Sequence, residues 1–422
     1  MKNKNLWLII CISIILCGCE DLLKLDDEKN IFKIDEKTAL VVAENLLFPP
    51  PHEGGLDEQI LKQEDYTINK EVLDISHLLT EKNEPFVYII NFKNGGFVLL
   101  SADMRLEPVI AYSEINQFYL NPNEPVSPGV LHYLAAHKER LVRMLESGII
   151  PKNAENNMAA WEKLSKQFVI VRYAGDYINC NNVKETKIVR KKLLKTIWGQ
   201  LEGYNNSLDN MGCTLASSGG KPPVGCVATA IGQILKFHAE NDWNGTFTYQ
   251  GVPHIYFWEN MPYHSANQSS DPNLPSLMKV LGKMLNMSYA CNGSGARFNR
   301  AYDAFRSILG FPYATKENKF IYTEVINNIN NNRPVFMAGC SDETQWIFGL
   351  FSTYKNCHAW VAEGYSQVFD CENNTMTNNH KIYMNWGWEG NHDGWYLHNK
   401  EWDAGSSTYN YNRKMIRRII PE

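Results

Sequence analysis

The sequence predicts an α+β protein in two parts: a mixed αβ N-terminal region, then a region that begins helical and ends in antiparallel strands. Three patterns predict it. Residues 86–111 alternate, are rich in Val, Ile and Phe, and are broken by Asn94-Gly95-Gly96, which is the pattern of a hairpin. From Cys226 onward, Val227, Ile231, Ile234, Leu235 and His238 share one helical face at spacings of three and four, with Thr229, Gln233 and Lys236 on the other. Segments 335–338, 358–362, 381–385 and 395–397 then read as short strands.

In chain order, Lys2 and Lys4 precede an apolar run over residues 6–16 and the string Leu16-Cys17-Gly18-Cys19. A charged start, a short apolar core and small residues before a break describe an export signal, too short to span a membrane comfortably. Leu-x-Gly-Cys resembles a bacterial lipobox, which implies a signal peptide over 1–18 and a lipid on Cys19. The protein would then be anchored at an outer membrane or cell surface, or secreted after processing; a plain secretory signal is the alternative. Ala39, Val42, Ala43 and Leu46-Leu47 suggest a helix ended by Pro49-Pro50-Pro51. Residues 131–145 are helical in pattern, as are 277–285 and 301–309. The basic stretch 183–195, with Arg190-Lys191-Lys192, suits an exposed, cleavable linker between the two parts.

The chain has 422 residues, enough for two domains with real cores, and its 44% hydrophobic and 21% charged content is that of a globular protein. A net charge of −5, from 41 basic and 46 acidic residues, gives no basic footprint for nucleic acid. Of ten cysteines, Cys11, Cys17 and Cys19 lie in the signal region. Setting Cys226 aside leaves Cys180, Cys213, Cys291, Cys340, Cys357 and Cys371, an even number that an exported protein can pair, with connectivity open. No metal-ligand spacing is present and no cofactor is implied.

Four segments carry chemistry. Gly225-Cys226 opens the amphipathic helix, whose unpaired N–H groups and positive end would favour a thiolate. Gln200 lies 26 residues before Cys226, His358 lies 132 after it, and Asn385 follows 27 beyond His358. A thiol needs a base that later protonates the leaving amine, the imidazole needs its second nitrogen held, and the tetrahedral intermediate needs donors for its oxyanion. His358, Asn385 and Gln200 with the Cys226 N–H are residue types fit for those tasks. Trp386 could shield an Asn385–His358 contact from water.

The Gln–Cys–His–Asn order is that of papain-like cysteine proteases, and the chain resembles the streptopain-like cysteine peptidases of bacteria. The resemblance rests on Trp198-Gly199-Gln200, on Gly225-Cys226-Val227-Ala228-Thr229-Ala230 with Gln233-Ile234-Leu235-Lys236-Phe237-His238, on His358-Ala359-Trp360-Val361 leading to Gly364-Tyr365, and on Asn385-Trp386-Gly387-Trp388 closing at Asp393-Gly394-Trp395-Tyr396. Upstream, Phe97-Val98-Leu99-Leu100-Ser101-Ala102-Asp103 and Pro108-Val109-Ile110-Ala111-Tyr112-Ser113 look like that family's inhibitory propeptide. Two departures stand out: Gly203-Tyr204-Asn205 replaces the usual Pro-Tyr-Asn, and the interval from His358 to Asn385 is expanded by the polar segment 370–380.

The resemblance implies a papain-like catalytic domain over 191–422, an inhibitory prodomain and linker over 19–190, and Trp386 at the active site. It implies a cysteine endopeptidase made as a zymogen, acting on peptides and proteins through a thioester, with its own prodomain as intramolecular inhibitor. A preference for an apolar side chain two residues before the cut belongs to the same analogy. Two other readings of the residues are a thioester-forming transglutaminase or amidase, and a peptide-binding lipoprotein without activity.

Overall fold

The computed structural model describes residues 31–57, 59–61, 68–120, 126–166, 169–170, 186–264, 271–340, 357–370, 375–376, 380–398, 403–404, 407–408 and 413–422. The signal region and Cys19 lie outside the described residues, as do residues 171–185 before Thr186.

The N-terminal part begins with helix α1 (Glu36–Glu44), capped by Asp35, whose carboxylate accepts the Thr38 N–H at 2.7 Å. It buries Ala39, Val42 and Ala43. The helix expected to continue through Leu46-Leu47 stops earlier, because Leu46–Phe48 is extended. Leu46 and Phe48 are buried and Leu47 is less so, a period of two and not of 3.6. Strands β1 (Val72–Leu79), β2 (Pro85–Phe92), β3 (Phe97–Ser101) and β4 (Val109–Ser113) form an antiparallel meander. The predicted hairpin is its central pair, turning through Gly95 and Gly96, both with positive φ. Helices α2 (Pro128–Ser147) and α3 (Ala154–Lys166) follow, α2 ending at Gly148 in the left-handed region.

Strand β5 (Thr186–Lys192) leads into the second part. Its helices are α4 (Cys226–Asn241), α5 (Asn273–Met284), α6 (Phe298–Ser307) and α7 (Tyr322–Asn330). Its strands are β6 (Thr315–Glu317), β7 (Val335–Cys340), β8 (Cys357–Asp370), β9 (Lys381–Asn385), β10 (Gly394–Leu397) and β11 (Lys414–Arg417). The architecture is α+β, a helical portion facing an antiparallel sheet, preceded by a separate N-terminal domain. Of the polar segment before Asn385, the described residues Asp370, Thr375 and Met376 take part in pairing beside β8: Phe369 and Asp370 pair with Met376 and Thr375.

The two parts share one sheet. Its strand order is β6-β11-β7-β8-β9-β10-β4-β3-β2-β1, so the N-terminal meander continues the catalytic sheet edge to edge. The junction pairs Trp395 with Tyr112 and Tyr396 with Ala111. Tyr383 and Trp395 of the second part are buried in a core otherwise built by the first. An isolated strand edge would invite association, and here each part covers the other's edge.

The expectation of an exposed basic linker is corrected. β5 pairs with β8 over seven residues, from Gly364↔Lys192 to Asp370↔Thr186. Arg190, Lys191 and Lys192 are all buried. The boundary expected between residues 190 and 191 falls inside this strand. A run of cations reads as solvated from sequence alone, but each of two has an interior partner. The Arg190 guanidinium is ion-paired with Glu114 and lies 5.0 Å over the Trp395 ring, while the Lys192 ammonium lies 4.5 Å over Tyr383.

Candidate active site

Cys226 is the first residue of α4 and follows Gly225 at φ +93°. That φ and the space both call for glycine: a Cβ there would come within 2.8 Å of the Met287 thioether and 3.0 Å of the Ser294 carbonyl oxygen. The helix is more deeply placed than its amphipathic pattern suggests. Every residue from Cys226 to His238 is buried, including Thr229, Gln233 and Lys236 of the polar face. Their hydrogen bonds explain this. Thr229 Oγ1 donates to the Gly199 carbonyl at 3.2 Å, Gln233 Oε1 accepts the Trp198 N–H at 3.0 Å, and the Lys236 ammonium is held by the Trp258 carbonyl and Glu240.

Those bonds tie the Gln200 segment to the cysteine helix, and the Val224 N–H adds another by donating to the Gln200 carbonyl at 2.9 Å. Asn205, in the variant Gly203-Tyr204-Asn205 string, donates to Ser218 and Pro222 carbonyls at 3.0 and 3.2 Å and so braces the approach to Gly225. The Gln200 carboxamide is buried and donates to the Gly387 carbonyl at 3.3 Å.

The sheet brings up the other half. Ala359, next to His358 on β8, donates its N–H to Cys226 Sγ at 3.4 Å. Cys226 is thereby adjacent to the histidine strand. Burial pushes the Cys226 thiol up, against the pull of backbone N–H groups of Ala359, Val227 and Cys226 itself. The helix-start effect expected from sequence is present, and in this closed arrangement burial outweighs it.

His358 is buried, with Nε2 3.0 Å from the Trp386 carbonyl oxygen. A carbonyl only accepts, so in the neutral ring Nε2 carries the proton and Nδ1 holds the lone pair. The orienting contact expected of the Asn385 side chain thus comes from the main chain of the next residue. The Asn385 carboxamide is committed at both ends. Its Oδ1 accepts from Gln233 and the Gly387 N–H, and its Nδ2 donates to Thr196, Gln233 and Glu363. The Trp386 ring packs against Trp360 at 5.2 Å and Tyr396 at 5.2 Å, and lies 6.4 Å from the His358 ring.

Sequence reasoning missed two residues here, both from the N-terminal part. Ser127 Oγ lies 3.0 Å from His358 Nε2, sharing the nitrogen that faces Trp386. Gly129, in the first turn of α2, lies so flat on the site that a Cβ would sit 2.3 Å from the Trp386 ring and 3.1 Å from the His358 ring. The only sequence signal is a Ser-Pro-Gly string at a helix start. Elsewhere in the site Cys213 and Cys291 form a disulfide and Cys226 is a free thiol. The disulfide joins the loop after Gln200 to the loop that carries Met287 and Ser294 beside Gly225.

The chain matches the Peptidase C10 family over residues 198–396 and the Spi protease inhibitor family over residues 33–141. Streptopain of Streptococcus pyogenes is 21% identical over 352 residues, covering 77% of this chain and 76% of its own length. A thiol protease/hemagglutinin of Porphyromonas gingivalis is 22% identical over 383 residues, covering 83% of this chain but only 38% of its own. In fold, a fragment of prointerpain A from Prevotella intermedia superposes with a TM-score of 0.53 at 20% identity, covering 87% of this chain and all of that one.

These matches and the architecture define a cysteine-type peptidase, a hydrolase, with an inhibitor-like domain ahead of the enzyme. It has the streptopain-like C10 peptidase fold with a propeptide-like domain of the Spi inhibitor kind, a cysteine-peptidase zymogen whose prodomain is its intramolecular inhibitor.

Proposed function

We propose that the protein is an exported endopeptidase, lipid-anchored through Cys19, in which Cys226 is the nucleophile and His358 its base and acid. His358 Nδ1 takes the Cys226 proton, and the thiolate attacks the scissile carbonyl carbon. The oxyanion is met by the Gln200 carboxamide and the Cys226 N–H. As the C–N bond breaks, the proton passes from His358 to the leaving amine. Water, deprotonated by the same imidazole, then cleaves the thioester. The Trp386 carbonyl fixes the ring tautomer, and Asn385 acts behind it by bracing the backbone at Gly387.

The observation that supports this reading is the 3.0 Å contact of Ser127 Oγ with His358 Nε2: a prodomain residue holds the imidazole at the nitrogen opposite the one that would take the Cys226 proton. Strand β5 pairs with β8, so we place the catalytic domain's start at or before Thr186 and the maturation cut between residues 170 and 186. Residues 171–185 lie outside the described residues.

The test uses a thiol-directed probe on processed protein. Cys226→Ala should abolish labelling and peptide cleavage, and its full-length form should accumulate uncut at about the 48.3 kDa of the whole chain. His358→Ala should lose nearly as much, since the two act as a unit. Gln200→Ala should lower turnover about a hundredfold with little change in the Michaelis constant. Thiol-dependent cleavage by Cys226→Ala, or amine incorporation in place of hydrolysis, would overturn the assignment.

A further inference from the structure

Gln233 is fully buried on α4, two helical turns beyond Cys226, and its carboxamide bonds both the Trp198–Gln200 segment and Asn385. Its Oε1 accepts the Trp198 N–H at 3.0 Å, two residues before Gln200. Its Nε2 donates to Asn385 Oδ1 at 3.0 Å, while Asn385 Nδ2 donates back to its Oε1 at 3.1 Å. The same Asn385 Oδ1 accepts the Gly387 N–H at 3.2 Å, and the Gly387 carbonyl accepts from Gln200 Nε2. The result is a closed circuit: Gln233 to the Trp198–Gln200 segment, Gln200 to Gly387, Gly387 to Asn385, and Asn385 back to Gln233. Trp386, whose carbonyl faces His358 Nε2, lies inside that circuit between Asn385 and Gly387.

We infer that Gln233 is a positioning residue, which sets the Cys226 helix, the Gln200 donor and the Trp386 carbonyl in register so that His358 is held in the productive tautomer and direction. The inference rests on the proposed roles of Cys226, His358 and Gln200. Its physical basis is that one planar amide offers a donor and an acceptor in fixed geometry, and only a group with both can close the pair with Asn385 and still accept from Trp198. In a buried interior, each bond left unmade leaves its partner unsatisfied, so the circuit is satisfied as a whole or loosens as a whole. Catalytic groups about 1 Å out of place lose on the order of a hundredfold in rate. Among the described residues two buried carboxyl groups touch the circuit: Glu363, which accepts from Asn385 Nδ2, and Asp393, which accepts the Trp386 N–H at 2.7 Å; burial pushes both up, and both are common to wild type and variant.

The experiment compares Gln233→Leu and Gln233→Glu with wild type and Cys226→Ala. Full-length chains are matured with immobilised wild-type enzyme, which is then removed, and active sites are counted by titration with a thiol-directed inhibitor. For Gln233→Leu, turnover per titrated site should fall by about tenfold or more with the Michaelis constant within about twofold. Gln233→Glu keeps the shape and the acceptor for Trp198, and its neutral acid form regains a donor for Asn385 Oδ1. Its turnover relative to wild type should therefore rise as pH is lowered from 8 to 5, a signature that loss of packing would not produce. If Gln233→Glu matches wild type at every pH, or its deficit is the same at every pH, the positioning role is overturned. If Gln233→Leu does not fold, the Gln233→Glu profile alone decides. A wild type without thiol-dependent cleavage, or an active Cys226→Ala, would overturn the underlying assignment of the site instead.

Discussion

Two of the regions where the prodomain touches the enzyme differ in character. At the wedge, Ser127 and Gly129 place a handful of atoms on His358 and Trp386. At the seam, β4 pairs with β10, and Arg190 of β5 reaches the prodomain's Glu114 under Trp395. Trp395 Nε1 completes the cluster by donating to both Glu114 oxygens at 3.1 Å. The wedge meets the reacting groups, and around it Val126, Val130 and Leu134 are buried in a core shared with the enzyme; the seam meets none of the reacting groups. Substitutions can therefore address the contact with the reacting groups apart from the seam.

The largest effect should come from the seam. Glu114→Ala leaves the Arg190 guanidinium buried without its carboxylate, which costs about 3–5 kcal/mol. Urea unfolding of the full-length chain in the Cys226→Ala background should show that loss, whereas a change under 1 kcal/mol would mean that the pair is solvated. The wedge comes next. Gly129→Val forces a side chain into the Trp386 ring, a strain of about 1–3 kcal/mol. The uncut chain should then label at Cys226 with the thiol probe, with its urea midpoint lowered less than by Glu114→Ala. Unfolding without labelling would show that the wedge carries affinity after all.

A third test uses pH. His392 of the enzyme has Nε2 2.7 Å from the Tyr119 carbonyl and its ring centroid 4.7 Å from that of Phe118, both of the prodomain. Burial pushes it from 6.5 down to about 4. The closed form thus binds fewer protons than the released form, so closure weakens as pH falls below about 6.5 and levels off near pH 4. At pH 5.5 the loss should be about tenfold, read as probe labelling of the uncut chain relative to prodomain-free enzyme. His392→Gln should flatten that dependence. His52 adds to the same trend. Burial first, then Arg190 and Lys192, lowers it to about 3. The smallest effect is Ser127→Ala, which removes one hydrogen bond of about 1 kcal/mol and should raise labelling of the uncut chain about fivefold. No change would leave the ring contact of Gly129 as the whole of the wedge.

Much of this was legible in the chain. The Cys226 helix, the hairpin around Gly95, the 335–397 strands and the positions of Gln200, Cys226 and His358 follow from periodicity, turn residues and short strings, all local properties. Local reasoning failed where the answer depended on a distant partner. Arg190, Lys191 and Lys192 read as solvated because nothing near them in sequence shows β8, Glu114 or Tyr383. Gln233 and Thr229 read as an outward polar face because their acceptors and donors lie on segments 30 to 152 residues away. The Asn385 side chain and the Trp386 carbonyl are one residue apart, and only the chain's path past His358 selects between them.

What the sequence by itself determined is the class of chemistry and the order of its parts, since a thiol at a helix start, an imidazole and a carboxamide donor are properties of residue types. What the tertiary structure decided is which groups meet. Hydrogen bonds act over about 3 Å and a buried charge tolerates only a near partner, so the His358 contact, the fate of the basic run and the hold of the prodomain were fixed when distant strands joined one sheet.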